Sequence, residues 1–260
     1  MSLSGKTALI TGSTSGIGLA IAKEFAANGV NIIMNGFGDH EVIEQERISL
    51  ESHGVKAIYH DADMTKPDEI KAMIEAAEKE FGAIDILVNN AGIQHVSPIE
   101  EFPPEKWDDI IAISLSSAFH TTRLALTGMK KAGWGRIINM CSAHGLVASP
   151  YKSAYVAAKH GILGFTKTIA LEIAQENITC NAICPGYVFT PLVENQIADT
   201  ARARSMTENE VVKDILLAAQ WTKKFVTTEQ IAGIALFLCS DIAENITGTD
   251  IKVDGGWTAA

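Results

Sequence analysis

Tyr155 and Lys159 stand four residues apart in the run Ser153-Ala-Tyr155-Val-Ala-Ala-Lys159, and Ser142 lies thirteen residues before the tyrosine. On a helix, a four-residue step puts two side chains on one face, one turn apart. An ammonium near a phenol favours the phenolate and lowers a pKa whose ordinary value is about 10. A tyrosine so tuned gives or takes a proton near neutral pH. Upstream, Thr11-Gly12-Ser-Thr-Ser-Gly16-Ile-Gly18 carries the glycines of a strand-to-helix turn, where backbone N–H groups can approach a pyrophosphate. A Tyr-x-x-x-Lys or a glycine cluster alone says little. A proton-transfer pair downstream of a dinucleotide loop indicates hydride transfer to or from a carbonyl.

Those side chains need a frame. Short, almost wholly apolar runs alternate with longer segments of helical periodicity, which predicts an α/β fold: a doubly wound, Rossmann-type parallel sheet of about seven strands with helices on both faces. Lys6–Thr11, Val30–Asn35, Val55–His60, Ile84–Asn89, Gly135–Ser142, Ile178–Cys184 and Thr249–Val253 read as the strands. Ile17–Asn28 reads as the first helix, closed at Gly29, and long helices follow at Pro104–Lys131 and Ala154–Glu176. Thr190–Lys224 breaks the rhythm and reads as a helical lid at the carboxyl edge of the sheet, where such folds bind ligands. Three strand ends converge there: the glycine loop, Asp61-Ala-Asp63-Met64, and Asn89-Asn90-Ala-Gly92. The second strand ends Met34-Asn35-Gly36-Phe37-Gly38-Asp39, with no lysine or arginine to meet a 2′-phosphate, so NAD is expected rather than NADP.

The 260 residues suit one domain, with 47% hydrophobic and 20% charged residues. A net charge of −10 without a basic block argues against nucleic acid or an anionic membrane as partner. No apolar run approaches the length of a membrane span and no signal peptide opens the sequence, so a cytoplasmic protein is expected. Cys141, Cys180, Cys184 and Cys239 have no metal-type spacing and read as small apolar core residues, with Cys180 and Cys184 on one strand face. No metal is expected.

Thr11–Gly18, Asn89–Gly92, Ser142, Tyr155–Lys159 and Cys184-Pro185-Gly186, in order and spacing along essentially the whole chain, resemble the short-chain dehydrogenase/reductase family. The resemblance implies that Ser142 polarises a carbonyl, Tyr155 is the general acid/base, and Lys159 assists it and binds the nicotinamide ribose. It implies a cofactor held by Gly12, Thr14, Ser15, Gly16, Ile17, Gly18, Phe37, Asp63, Met64, Asn90, Gly92, Tyr155, Lys159, Pro185 and Val188. It also implies a homotetramer, with the two long helices at its interfaces. The family usually places an asparagine where this chain has Ser114, a residue whose main-chain carbonyl serves a proton relay; Ser114 is the candidate fourth member of the catalytic set.

A narrower likeness is to members that oxidise (R)-3-hydroxybutyrate to acetoacetate. It implies that Gln94, His144, Lys152 and Gln196 gather round a substrate carboxylate, with Ser142 and Tyr155 at the hydroxyl and Trp257 walling the methyl end. Lys152 precedes Tyr155 by three residues, which independently favours a cation near the phenol. Such members often carry tryptophan after Pro185-Gly186, where this chain has Tyr187. The alternatives are reduction of a 3-oxoacyl thioester and a non-catalytic NAD-binding regulator on the same fold.

Overall fold

Runs that are apolar at almost every position become strands covered on both faces in the computed structural model, which describes residues 3–190, 193, 194, 197, 198, 201 and 206–260. The strands are β1 (Thr7–Ile10), β2 (Asn31–Asn35), β3 (Ala57–His60), β4 (Ile86–Asn89), β5 (Gly135–Met140), β6 (Ile178–Pro185) and β7 (Asp250–Val253). All pair in parallel in the order β3-β2-β1-β4-β5-β6-β7. The order reverses between β1 and β4, so the connections leaving these neighbours diverge and open a crevice at the sheet's carboxyl edge.

The helices are α1 (Gly16–Ala27), α2 (His40–Glu51), α3 (Pro67–Phe81), α4 (Pro104–Ile111), α5 (Ser117–Ala132), α6 (Ser153–Glu172) and α7 (Thr228–Cys239). Ile21, Ala22 and Phe25 of α1 and Ile231, Ala235 and Leu238 of α7 pack with Ile10, Ile32, Val88 and Ile138 on one face of the sheet. Ile70, Met73 and Ile74 of α3, with Ala125 and Met129 of α5, cover Leu9, Ile33, Leu87 and Ile137 on the other. Each of the larger side chains among them contributes about 1.5–3 kcal/mol on burial. Helix starts follow local chemistry. Asp39 caps α2 by accepting from the backbone N–H groups of Glu41 and Val42, and Thr227 and Gln230 form a reciprocal capping box on α7.

The expected helix Pro104–Lys131 is interrupted. At Ala112–Ser116 the chain widens into a turn of π-helix between α4 and α5. Apolar periodicity does not report the change from i→i−4 to i→i−5 bonding, so the sequence reads as one helix. The wide turn buries Ser114 beside Gly92: a Cβ on that glycine would lie 3.4 Å from the Ser114 Oγ and 3.8 Å from the Lys159 Nζ. Within the expected lid, Val211 and Leu216 join Ile197, Ala201 and the ring of Tyr187 in a small apolar cluster. Among the described residues no helix is long and apolar enough to cross a membrane.

Candidate active site

Three strand-end turns are stitched together by side chains. The Asn90 amide donates to the carbonyls of Thr11 and Gly12, both at 2.9 Å, and the Thr11 hydroxyl accepts from the N–H groups of Asn90 and Ala91. Thr14 Oγ1 donates to the Phe37 carbonyl, tying the glycine loop to the end of β2. The Asn35 amide donates to the carbonyls of His60 and Ala62. Gly16 turns the chain into α1 at φ +56°, and Ser15 at its N-cap makes no side-chain capping bond. With no acidic residue in that first turn, the helix N-terminus offers its N–H groups to an anion.

Between these turns lies a cavity of about 380 Å³. Gly12, Thr14, Ser15, Gly16, Ile17, Phe37, Asp63, Met64, Asn90, Gly92, Tyr155, Lys159 and Pro185 of the sequence reading line it. Two expected cofactor residues do not. Gly18 packs inside the turn, where a Cβ would collide with the Gly12 carbonyl oxygen, and Val188 lines a neighbouring cavity. The sequence reading missed Asn35, Gly36, Ala62, Ile93, Ile113, Met140, Cys141 and Thr190 on this wall. Several of them stand at strand ends, a position that only the register reveals.

Ser142 follows β5, Tyr155 lies in the first turn of α6, and Lys159 is buried one turn on. Ser142 Oγ accepts from the His144 N–H at 3.2 Å, which directs it over the strand end, and it shares the smaller of the site's cavities with the Tyr155 phenol. The Lys159 ammonium donates to the Met140 carbonyl at 2.7 Å and lies 5.6 Å from the centre of the Tyr155 ring. The expected low phenol pKa is not what the protein alone provides. Burial of the phenol pushes it up to about 12, against the downward pull of the nearby Ser142 hydroxyl. Burial also lowers the Lys159 pKa. Spacing put the two groups on one face but said nothing of how far both are withdrawn from water.

A second cavity of about 140 Å³ adjoins the first and shares Ile17, Gln94, Cys141, Tyr155, Pro185 and Thr190 with it. Ser142, His144, Lys152, Tyr187 and Trp257 complete its functional wall. Tyr187 stacks on Trp257 at 5.6 Å, and Trp257 meets His144 edge-on at 5.0 Å. Lys152, at the N-cap of α6, points its ammonium to within 3.5 Å of the Tyr187 hydroxyl. Burial lowers the Lys152 pKa. Burial, with the charges of Lys152 and His160, holds His144 down at about 4 and therefore neutral. The Nε2 atoms of Gln94 and His144 are buried without a partner. Gln196 lies outside the described residues.

A family model described as short chain dehydrogenase matches residues 6–201. The chain belongs to this family. As a short-chain dehydrogenase it is an oxidoreductase that binds a nicotinamide dinucleotide, and the residues present fit that group: an uncapped helix N-terminus, glycines at the turn and a long cavity ending at Tyr155 and Lys159. The short-chain dehydrogenase is 60% identical over 257 residues to a D-beta-hydroxybutyrate dehydrogenase of Rhizobium meliloti (strain 1021), covering 98% of this chain and 99% of that one. It is 56% identical to a D-beta-hydroxybutyrate dehydrogenase of Cupriavidus necator, covering 99% of both. Among solved structures, an actinorhodin polyketide ketoreductase variant with NADPH superposes with a TM-score of 0.92 at 31% identity, covering 100% of this chain and 99% of that one.

Proposed function

We propose that the protein catalyses the reversible, NAD-dependent oxidation of (R)-3-hydroxybutyrate to acetoacetate. One observation carries the choice of a short hydroxy acid. The small cavity beside Tyr155 and Ser142 holds one half-buried cation, Lys152, and two unpartnered polar atoms, the Nε2 of Gln94 and of His144. A carboxylate at that end would meet a charge and hydrogen-bond donors in place of water, and its hydroxyl-bearing carbon would then face the phenol. The aromatic wall of Tyr187 and Trp257 leaves the methyl end an apolar surface. The two D-beta-hydroxybutyrate dehydrogenases point to the R acid.

In this reading Tyr155 accepts the hydroxyl proton while the C3–H bond breaks, and Ser142 donates a hydrogen bond to the oxygen as it becomes a carbonyl. When bound, the oxidised cofactor supplies the hydride acceptor and a positive charge beside the phenol. Lys159 adds its ammonium, and both charges draw the Tyr155 pKa down from its high value, so oxidation quickens as pH rises. Ser114 places its hydroxyl against the same space as the Lys159 ammonium and belongs to the proton path only through that neighbourhood.

NAD is chosen over NADP because Lys159 is the one cation among the described residues lining the large cavity, and it stands at the far end from Phe37. Asp39, two residues beyond Phe37, adds a negative charge rather than a positive one near the end of β2. A homotetramer is part of the proposal, supported by the exposed Phe119 on α5 and Leu171 on α6. The deciding assay follows reduced-nicotinamide absorbance with NAD and NADP, each offered (R)- and (S)-3-hydroxybutyrate. Turnover with NAD and the R acid alone is the expected result. Silence with both acids, together with reduction of an acyl thioester by NADPH, would overturn it.

A further inference from the structure

Two nucleophiles at the floor of the site have no part in the chemistry above. Cys141 is the residue before Ser142, and its backbone N–H donates to the Ile183 carbonyl at 2.8 Å, continuing the β5–β6 ladder one step past the Met140–Ile183 pair. The residue across from it is Cys184. Both side chains fall in one small apolar cluster with Ala118, Ile162 and Ala182, so they point to the same face of the sheet. Both thiols are free. Register neighbours in a parallel sheet stand about 4.8 Å apart, inside the range of about 4.4–6.8 Å that a disulfide spans between Cα atoms. Cys180, four register steps back along β6, pairs with Ile137, meets the Asn139 amide and has no such neighbour.

We propose that Cys141 and Cys184 are an oxidisable pair, closed by a small hydroperoxide into a cross-strand disulfide that switches the enzyme off. Cys141 is the member that lines both cavities, so an oxidant the size of hydrogen peroxide has a path to it that bound cofactor covers. The neighbouring Cys184 thiol and the Lys159 charge favour the Cys141 thiolate, while the adjacent Cys141 sulfur and burial keep the Cys184 proton on. In the first step the Cys141 sulfur attacks a peroxide oxygen: an S–O bond forms, the O–O bond breaks, and the departing oxygen leaves as water. In the second, the Cys184 sulfur attacks that sulfenic sulfur: the S–S bond forms, the S–O bond breaks, and a second water leaves. Two electrons pass from the two thiols to the peroxide, and both thiol protons end in water.

Closure reaches the catalytic groups through covalent neighbours. In the reduced protein the Cys141 thiol donates to the Lys159 carbonyl at 3.2 Å, and Gly145 fits against the sulfur so closely that a Cβ there would collide with it. Drawing the sulfur toward Cys184 gives up the bond to α6 and moves the backbone that carries Ser142. A displacement near 1 Å at a reacting group costs about a hundredfold in rate.

The test treats the wild-type protein with hydrogen peroxide, with and without NAD, then alkylates under denaturing conditions and maps peptides without reduction. The expected result is one crosslink, joining the peptides of Cys141 and Cys184, with Cys180 and Cys239 alkylated. NAD should slow its formation, turnover should fall at least tenfold, and dithiothreitol should restore it. Cys184→Ala, whose side chain lines neither cavity, should lose no turnover to the treatment relative to its own untreated sample. A different crosslink, loss of turnover with both thiols still alkylated, or a crosslink that leaves turnover unchanged would each overturn the proposal. Because the peptide map is read on the wild-type chain, it decides the matter even if the variant does not fold, and it does not depend on which alcohol the enzyme oxidises.

Discussion

Lys152 and His144 share one small cavity but answer to different forces. Lys152 keeps an ammonium that burial disfavours, and a substrate carboxylate would offset that cost. Replacing it by methionine keeps the stem and removes the charge. A charge-assisted hydrogen bond contributes about 1.5–3 kcal/mol, so Lys152→Met should raise KM for 3-hydroxybutyrate about 10- to 100-fold. The KM for NAD should stay unchanged, as steady-state kinetics with each substrate varied will show. His144 is the opposite case, a group kept neutral. Its pKa near 4 in the folded protein lies below the ordinary 6.5, so its contribution to stability is complete above pH 6.5 and lost as pH falls through about 4. The span corresponds to roughly 3 kcal/mol. Thermal unfolding of His144→Gln between pH 7 and 4 should therefore lose less Tm than the wild type; parallel curves would show that burial does not hold the imidazole neutral.

At the scale of elements, the glycine loop sets the hardest constraint. A methyl at position 18 meets the Gly12 carbonyl and the Asn90 amide that fastens the loop to β4. Gly18→Ala should destabilise by about 1–3 kcal/mol as an overpacked site and should weaken NAD binding at least tenfold. Calorimetry and titration of the protein fluorescence with NAD measure the two effects. This corner also shows what could be read in advance. The strands were legible because nearly every side chain in them is apolar, and their ends shifted by a residue or two because pairing, rather than composition, sets where a ladder stops. Cys180 and Cys184 share a sheet face as the two-residue period requires, and no cysteine is bonded. The π turn at Ser114 was invisible because it changes hydrogen bonding without changing the apolar stripe. The depth of Tyr155 was invisible for another reason: motif spacing fixes direction along a helix, while desolvation depends on the β5 end and the His144 turn packed over it.

At the scale of the whole molecule, the two cavities that hold the candidate catalytic residues lie at the carboxyl edge of the sheet, while α5 and α6 carry exposed apolar groups. Leu171 is 80% exposed and Phe119 48%. Light scattering on a sizing column should give the mass of a tetramer for the wild type and of a smaller species for Leu171→Glu; an unchanged tetramer would remove that leucine from any interface. The arrangement of the two cavities reaches into kinetics as well. The smaller one has Tyr155, Gln94 and Pro185 in common with the larger, so a substrate seated against Lys152 lies beside space that the dinucleotide must cross. Lys159, meanwhile, stays moored to the Met140 carbonyl on the cofactor side. Cofactor is therefore expected to enter first and leave last. Product inhibition will carry the signature of that compulsory order, with NADH competing against NAD while acetoacetate does not.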